Sequence, residues 1–338
     1  MKVLTFGELL LRLSAPGYEK LFQDNCLKTS FCGAEANVAV SLINFGIEST
    51  FVTVLPNSDV GKAAKRSLDY FGVDTSKIVL SDGRIGLYYL EKGASQRPSK
   101  IIYDRENSTL ALAKPSVFDW NKLFEGVNWF HWSGITPALS DNACEAVLEA
   151  CQQAKEKGIT ISCDLNYRKK LWNSNDAQKV MKKLIKYVDV CICNEEDAQL
   201  ALGIKINSDV ENAELSIDDY ARAAKAISQD FGCKYIAFTL RESYSANRNG
   251  WSAVLYHEDK SYISKKYDIE MVDRVGGGDS FAAGLIYGLL NGMSNQECVD
   301  FAAAASCLKQ TIEGDFNRIS LEEVFSLMNS SGNGRVIR

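Results

Sequence analysis

Histidine is almost missing from this chain: His131 and His257 are the two in 338 residues. Ten cysteines are present, but none forms a C-x-x-C pair, so a zinc centre is not expected. Most of these cysteines fall inside apolar stretches, which suits free buried thiols in a reducing compartment rather than a disulfide framework. No apolar run approaches the ~20 residues of a membrane span. The opening MKVLTFGELLLRL is interrupted by Glu8 and Arg12, and no small-residue cleavage site follows. It reads as a first core strand, not a signal peptide. Positive charge is not in excess either, since the net charge is −5 and lysines pair up but form no tract. Nucleic-acid binding is therefore not expected. Two nucleotide signatures are also absent, G-x-x-x-x-G-K-[ST] anywhere and G-x-G-x-x-G after the first strand. A cytoplasmic protein is the expectation.

What is present is a β-α alternation and 46% hydrophobic residues, ample for a buried core. Val3 to Phe6, Phe51 to Leu55, Asn128 to Trp132, Ile159 to Asp164, Val188 to Cys193 and Lys234 to Leu240 read as strands. Helical patterns lie between them: 34–45 stopped by Gly46, one from Asp59 to near Gly72, one opened by Ser140 and closed at Gly158, one over about 176–187, and one capped by Ser216 with Asp219. Cys191 and Cys193, two apart on a strand, should share one sheet face. The pattern predicts a mostly parallel sheet covered by helices on both sides. Segments 12–32 and 83–105 break the rhythm, the second as a hairpin of Ile85 to Glu91 and Lys100 to Asp104. Together they predict a small β-sheet lid inserted in one domain over 1–330, with 331–338 a frayed tail. The aromatics Tyr88, Tyr89 and Tyr103 favour a covering role over a decorative hairpin.

Chemistry concentrates in D-R-V-G-G-G-D-S-F, Asp273 to Phe281. Gly276, Gly277 and Gly278 feed directly into an apolar helical run. Glycines let backbone N–H groups approach an anion, and a helix N-terminus favours negative charge. Asp279 sits where this cradle meets the helix. The dipole is expected to keep it ionised, ready to accept a proton from an attacking hydroxyl. A plain N-cap after a tight turn is the bland alternative.

This segment resembles the C-terminal signature of the ribokinase/PfkB sugar kinases, usually D-T-x-G-A-G-D. Two further matches follow family order: Gly33-Ala-Glu-Ala-Asn37-Val-Ala with Leu42 and Phe45-Gly46, and Asn194-Glu-Glu-Asp197-Ala after a strand, like the family's N-x-x-E. The resemblance spans almost the whole chain. It implies a ribokinase-like three-layer sandwich with a β lid, ATP as phosphoryl donor and Mg²⁺ as its partner ion. GELLLRLSAPG, FHWSGITPALS, DLNYRKKLW and TLRES resemble the 2-keto-3-deoxygluconate kinases. A carboxylate substrate calls for cations, and Arg105 and Arg168 lie at the hairpin's end and past a strand's carboxyl end, with Arg12 a third candidate.

By the same resemblance, Gly33 and Asn37 contact substrate, and Tyr89 and Tyr103 reach it from the lid, with Tyr88 competing with Tyr89 by strand alternation. Asn194 and Thr239 lie near the phosphates with Gly276 and Gly278, while Ala304 and Cys307 line an adenine slot or simply pack in the core. Asp197 holds Mg²⁺ through water, although it is one methylene shorter than the usual Glu. The expected reaction is ATP-dependent phosphorylation of the terminal hydroxyl of 2-keto-3-deoxygluconate. The alternatives are a neutral-sugar kinase, a non-catalytic sugar-binding regulator and a scaffold. A homo-oligomer, with a dimer through the lid as one form, is expected by family analogy.

Overall fold

Short runs of β-branched, aromatic and cysteine residues become the strands of this protein. The computed structural model describes residues 1–206 and 216–329, so the expected tail 331–338 lies outside the described residues. In chain order the strands are β1 (Lys2–Phe6), β2 (Leu10–Ser14), β3 (Lys28–Cys32), β4 (Glu48–Val52), β5 (Val54–Pro56), β6 (Val79–Ser81), β7 (Gly86–Glu91), β8 (Lys100–Asp104), β9 (Trp129–Ser133), β10 (Thr160–Asp164), β11 (Val190–Cys193), β12 (Tyr235–Ser245), β13 (Arg248–His257), β14 (Lys260–Ile263) and β15 (Tyr267–Glu270).

The main sheet runs β14-β13-β12-β11-β10-β9-β1-β4, with β15 also paired to β13. Pairing is parallel from β4 across to β12 and antiparallel beyond. Alternation along each strand feeds two cores. Leu4, Phe6, Cys191 and Cys193 face the helices Asp141–Glu156, Ser174–Leu184 and Ile217–Phe231. Val3, Val190 and Ile192 face Ala34–Asn44, Gly277–Leu290, Asn295–Lys309 and Leu321–Asn329. This is the expected three-layer α/β/α arrangement.

The expected strand from Phe51 to Leu55 is two strands. β4 stays in the main sheet, while β5 pairs with β6 in a small separate sheet. An apolar run does not mark where the partner strand changes. The first turn of the Asp59–Tyr70 helix is capped by Ser58, whose hydroxyl accepts from the Gly61 amide, with Asp59 already helical. Both irregular segments enter one four-stranded sheet, ordered β3-β2-β7-β8. Its strands β2 and β7 are parallel and its other pairs antiparallel. All ten cysteines are free thiols, eight of them buried, and act as small apolar side chains.

Candidate active site

A cleft of about 360 Å³ opens where the carboxyl ends of β9, β10 and β11 meet the small sheet and the glycine turn. Open α/β sheets place ligands at such strand ends. Each strand hands over a polar loop: Asp164, Asn166 and Arg168 after β10, and Asn194, Glu195 and Asp197 after β11. Asn166 takes a left-handed φ of 41°, which Asn tolerates, and donates to Asp164 at 3.3 Å.

The glycine turn is over-determined. Gly276 has φ 82°, and a Cβ there would lie 2.2 Å from the Asp315 carbonyl oxygen. Only glycine satisfies both constraints. The Gly277–Leu290 helix starts immediately after it. The Gly277 amide donates to the Arg274 carbonyl at 3.3 Å, whereas those of Gly276, Gly278 and Asp279 donate to no protein group among the described residues. Three unused N–H groups at a helix N-terminus make an anion cradle.

Asp279 lies on the cleft floor beside this cradle. Asn37 Nδ2 donates to its Oδ2 at 2.6 Å. The Gly33 amide donates to Asn37 Oδ1 at 3.4 Å, which fixes the amide's NH₂ end on Asp279. Gly33 must be glycine for closeness, because a Cβ would fall 2.0 Å from the Glu8 carbonyl oxygen. Burial pushes the Asp279 carboxyl up to about 7, and Glu35 and Asp315 add to this, against the Asn37 hydrogen bond and Arg168. Low solvation and the surrounding acids thus outweigh the helix dipole's pull on this carboxyl.

Arg105, Arg168, Tyr103, Gly33, Asn37, Asn194, Asp197, Thr239 and Gly276 to Gly278 all line the cleft. Arg105 is not a free fork, however: its Nε and Nη2 both donate to the buried Glu8 carboxylate. Arg168 donates to the Tyr167 carbonyl at 3.0 Å and, among the described residues, has no carboxylate within ion-pairing distance. Three expected residues are not brought to the cleft. Tyr89 points to the other face of β7, 6.1 Å from the Phe22 ring, and Tyr88 takes its place. Ala304 is fully buried in the core on one face of the sheet, and Cys307 packs with Trp251, Ile269 and Met271. Interior positions of the Asn295–Lys309 helix are consumed by packing against its neighbours.

Asp197 reaches the cleft edge with its oxygens already engaged. The Tyr167 amide donates to one at 2.8 Å, and the Asn194 amide to the other at 3.4 Å in a capping box. Burial pushes its carboxyl up to about 6. Among the described residues no group of three His, Cys, Asp or Glu side chains is placed to hold a metal ion. A Mg²⁺ ion brought in with a nucleotide would therefore have to draw its ligands mainly from phosphate oxygens and water.

Arg12 was a candidate cation in the wrong role, and Glu35 and Asp164 were not singled out by the sequence. Arg12 is 1% exposed and clasps Asp273 at 2.6 Å and also Asp315, whose second oxygen accepts from Tyr88 Oη at 2.6 Å. Arg12 is no substrate cation. Glu35 is buried and accepts from the Ser133 amide at 3.0 Å, the Ser133 hydroxyl at 2.7 Å and the Thr136 hydroxyl at 2.8 Å. Asp164 is held well above the usual carboxylate range by burial, then by Asp197 and Asp279. Its place at the end of a predicted parallel strand was the signal available for it. Arg241 and Arg274 line the cleft near Thr239. Burial and the like charge of Arg241 push the Arg274 pKa down.

Residues 1–317 match the pattern described as pfkB family carbohydrate kinase. The chain belongs to this family. As a pfkB-family carbohydrate kinase it is a phosphotransferase with an alcohol group as acceptor, on a ribokinase-like α/β fold. It is similar to a crystal structure of 2-dehydro-3-deoxygluconokinase from Thermotoga maritima, with TM-score 0.94 and 47% identity, covering 98% of each chain. It is 31% identical over 323 residues to the 2-dehydro-3-deoxygalactonokinase of Haloferax volcanii, covering 96% of this chain and 95% of the relative. It is 25% identical over 326 residues to the 2-dehydro-3-deoxygluconokinase of Bacillus subtilis, covering 96% and 94%. No helix among the described residues of this pfkB-family chain is long and apolar enough to cross a membrane.

Proposed function

We propose that this kinase transfers the γ-phosphoryl group of ATP to the terminal hydroxyl of 2-keto-3-deoxygluconate, giving 2-keto-3-deoxy-6-phosphogluconate. The observation that carries the reading is the cleft floor, where Asp279 sits between unused backbone amides and an unpaired Arg168. Arg168 and the remaining N–H groups of Arg105 hold the substrate carboxylate, and Tyr103 covers it from the small sheet. The glycines and arginines divide the donor's charge: the amides of Gly276 and Gly278 face the moving phosphoryl group, while Thr239, Arg241 and Arg274 face the rest of the triphosphate. Asn37 holds one Asp279 oxygen and leaves the other to take the hydroxyl proton. The new P–O bond forms as the bond to the leaving ADP oxygen breaks, and the proton ends on Asp279. Mg²⁺, when bound with the nucleotide, would neutralise phosphate charge, with Asp197 meeting it through water.

The nature of the relatives supports a sugar acid. Their names include both gluconate- and galactonate-type acceptors, so the acceptor's stereochemistry is the point to test. Steady-state rates on 2-keto-3-deoxygluconate, 2-keto-3-deoxygalactonate and fructose decide it. A kcat/KM for fructose equal to that for either acid overturns the sugar-acid reading in favour of a neutral-sugar kinase. Exposed Tyr18, Phe22 and Ile102 on and beside the small sheet support dimerisation there, which sedimentation checks. The eight buried free thiols suit a cytoplasmic setting.

A further inference from the structure

The last residue of the Asn295–Lys309 helix is a lysine with 0% exposure. Burying an ammonium is costly unless its donors are satisfied. Lys309 has three N–H donors and finds three backbone carbonyls: Asp273 at 3.3 Å, with Val275 and Gly314 closer. Among the described residues no carboxylate oxygen lies within ion-pairing distance of it, and its neighbours Asp273 and Asp315 are both clasped by Arg12. Burial pushes its pKa down, against Asp273 and Asp315. A cation so placed is poor value for stability alone, since an apolar side chain would avoid the desolvation cost.

Two of the carbonyls belong to the segment that leads into the glycine turn, and the third to Gly314, whose neighbour Asp315 backs onto Gly276. In a planar trans peptide, the C=O and the next N–H point in opposite directions. The Val275 carbonyl shares its peptide plane with the Gly276 amide. Drawing that carbonyl down onto Lys309 therefore aims the Gly276 N–H upward, into the cleft, where it meets no protein acceptor. Contact is close: a Cβ on Gly276 would lie 3.2 Å from Lys309 Cε. The lysine thus touches the cradle from behind, and never faces the cleft itself.

We propose that Lys309 is a positioning residue, an internal cation whose ammonium fixes the 273–276 backbone so that the Gly276 amide faces the transferring phosphoryl group. This rests on the glycine turn being the phosphate cradle. It has a consequence of its own. The cage of carbonyls is already filled by a tethered charge, so turnover needs no dissolved monovalent cation. Removing the charge but not the stem leaves carbonyl oxygens of the kind that replace the hydration shell of K⁺.

The test is Lys309→Met beside the wild type, assayed with MgATP, first in a buffer whose only monovalent cation is tetramethylammonium, then with added KCl or NH₄Cl. The wild type should turn over equally in all three. The variant should lose about 100-fold in kcat, the scale of one mis-aimed oxyanion donor. Its sugar-acid KM should move by about threefold at most, and either small cation should return about tenfold of the loss. The same salts should raise the variant's melting temperature and leave the wild type's unchanged. Wild-type activation by K⁺ overturns the proposal, as does a folded variant that keeps kcat or whose loss neither cation reverses. Should Lys309→Met not fold, Lys309→Gln, which keeps two donors without charge, is read by the same criteria. If no sugar acid is phosphorylated at all, the substrate reading fails, while the melting-temperature arm still reports on the cage.

Discussion

Two arginine settings, one behind the cleft and one in its lining, behave oppositely. Arg12, on β2, is sealed between Asp273 and Asp315, with Tyr88 completing the shell. Burial alone acts to lower its pKa, but Asp315, Tyr88 and Asp273 together raise it. Arg168, past β10, is half-buried and spends one N–H on the Tyr167 carbonyl. It lies among Asp164, Asp197 and Asp279 and lowers the pKa of each without pairing with any. The first arginine joins the small sheet to the glycine turn. The second has no carboxylate within ion-pairing distance among the described residues. A buried charge with all its partners in the protein serves the fold, whereas one left unpaired at a cleft is available to a ligand.

The sharpest way to break this comparison is at Asp279, the carboxylate beside the open setting. Asp279→Asn keeps the Asn37 contact region and removes the proposed base, so kcat should fall by about 10³–10⁴-fold with sugar-acid affinity, by calorimetry, changing little. The wild-type kcat/KM should rise with pH through about 7, since the ionised form is the base and burial has lifted its pKa to about 7. Stability runs the other way. A folded pKa above the unfolded value favours the protonated form, so this contribution is full below the unfolded pKa of about 3.9 and is lost as pH rises through about 7. Thermal melts at alkaline pH should therefore show Asp279→Asn no less stable than the wild type. Arg12→Met is next in size. It leaves two buried carboxylates without their shared cation and should cost about 3–5 kcal/mol in denaturant unfolding.

Much of this layout was legible beforehand, and for physical reasons. The 2-residue and 3.6-residue periodicities of β10, β11 and the Ala34–Asn44 helix are properties of a chain segment alone. So is the glycine turn, because a run of three glycines before an apolar helix has few structural uses. What could not be read was partnership between distant segments. Glu8 neutralises Arg105 across 97 residues, and Asp315 meets Arg12 across 303. Nothing local to Arg105 or Arg12 announces the acid it will find. Likewise Lys309 reads as an ordinary last-turn helix lysine, until the fold folds the 273–276 backbone over it. The misplacement of Ala304 and Cys307 has the same origin, because the helix face that looks toward a nucleotide is set by its neighbours.

Arg168→Met tests the open setting. Loss of one charge-assisted contact is worth about 1.5–3 kcal/mol, so KM for the sugar acid should rise about 10–100-fold. The KM for fructose should stay put and the melting temperature should hardly move. An equal rise for both sugars would make Arg168 a general cleft residue with no special claim on a carboxylate.

The smallest expected effect lies in the pair Tyr88 and Tyr89, neighbours on β7 that alternation sends to opposite faces. Tyr88 donates to Asp315 at 2.6 Å and lines the cleft with Tyr103, 5.9 Å from it ring to ring. Tyr88→Phe leaves one oxygen of a buried carboxylate short of a donor, which should cost about 1–3 kcal/mol in unfolding. Because Asp315 backs onto Gly276, some loss in kcat should accompany it. Tyr89→Phe removes a hydroxyl that faces away, beside Phe22, and should leave both kinetics and melting within error. A reversal of that order would mean that the small sheet pairs one residue out of register when substrate is bound, since a one-residue slip exchanges the faces of every side chain on the strand.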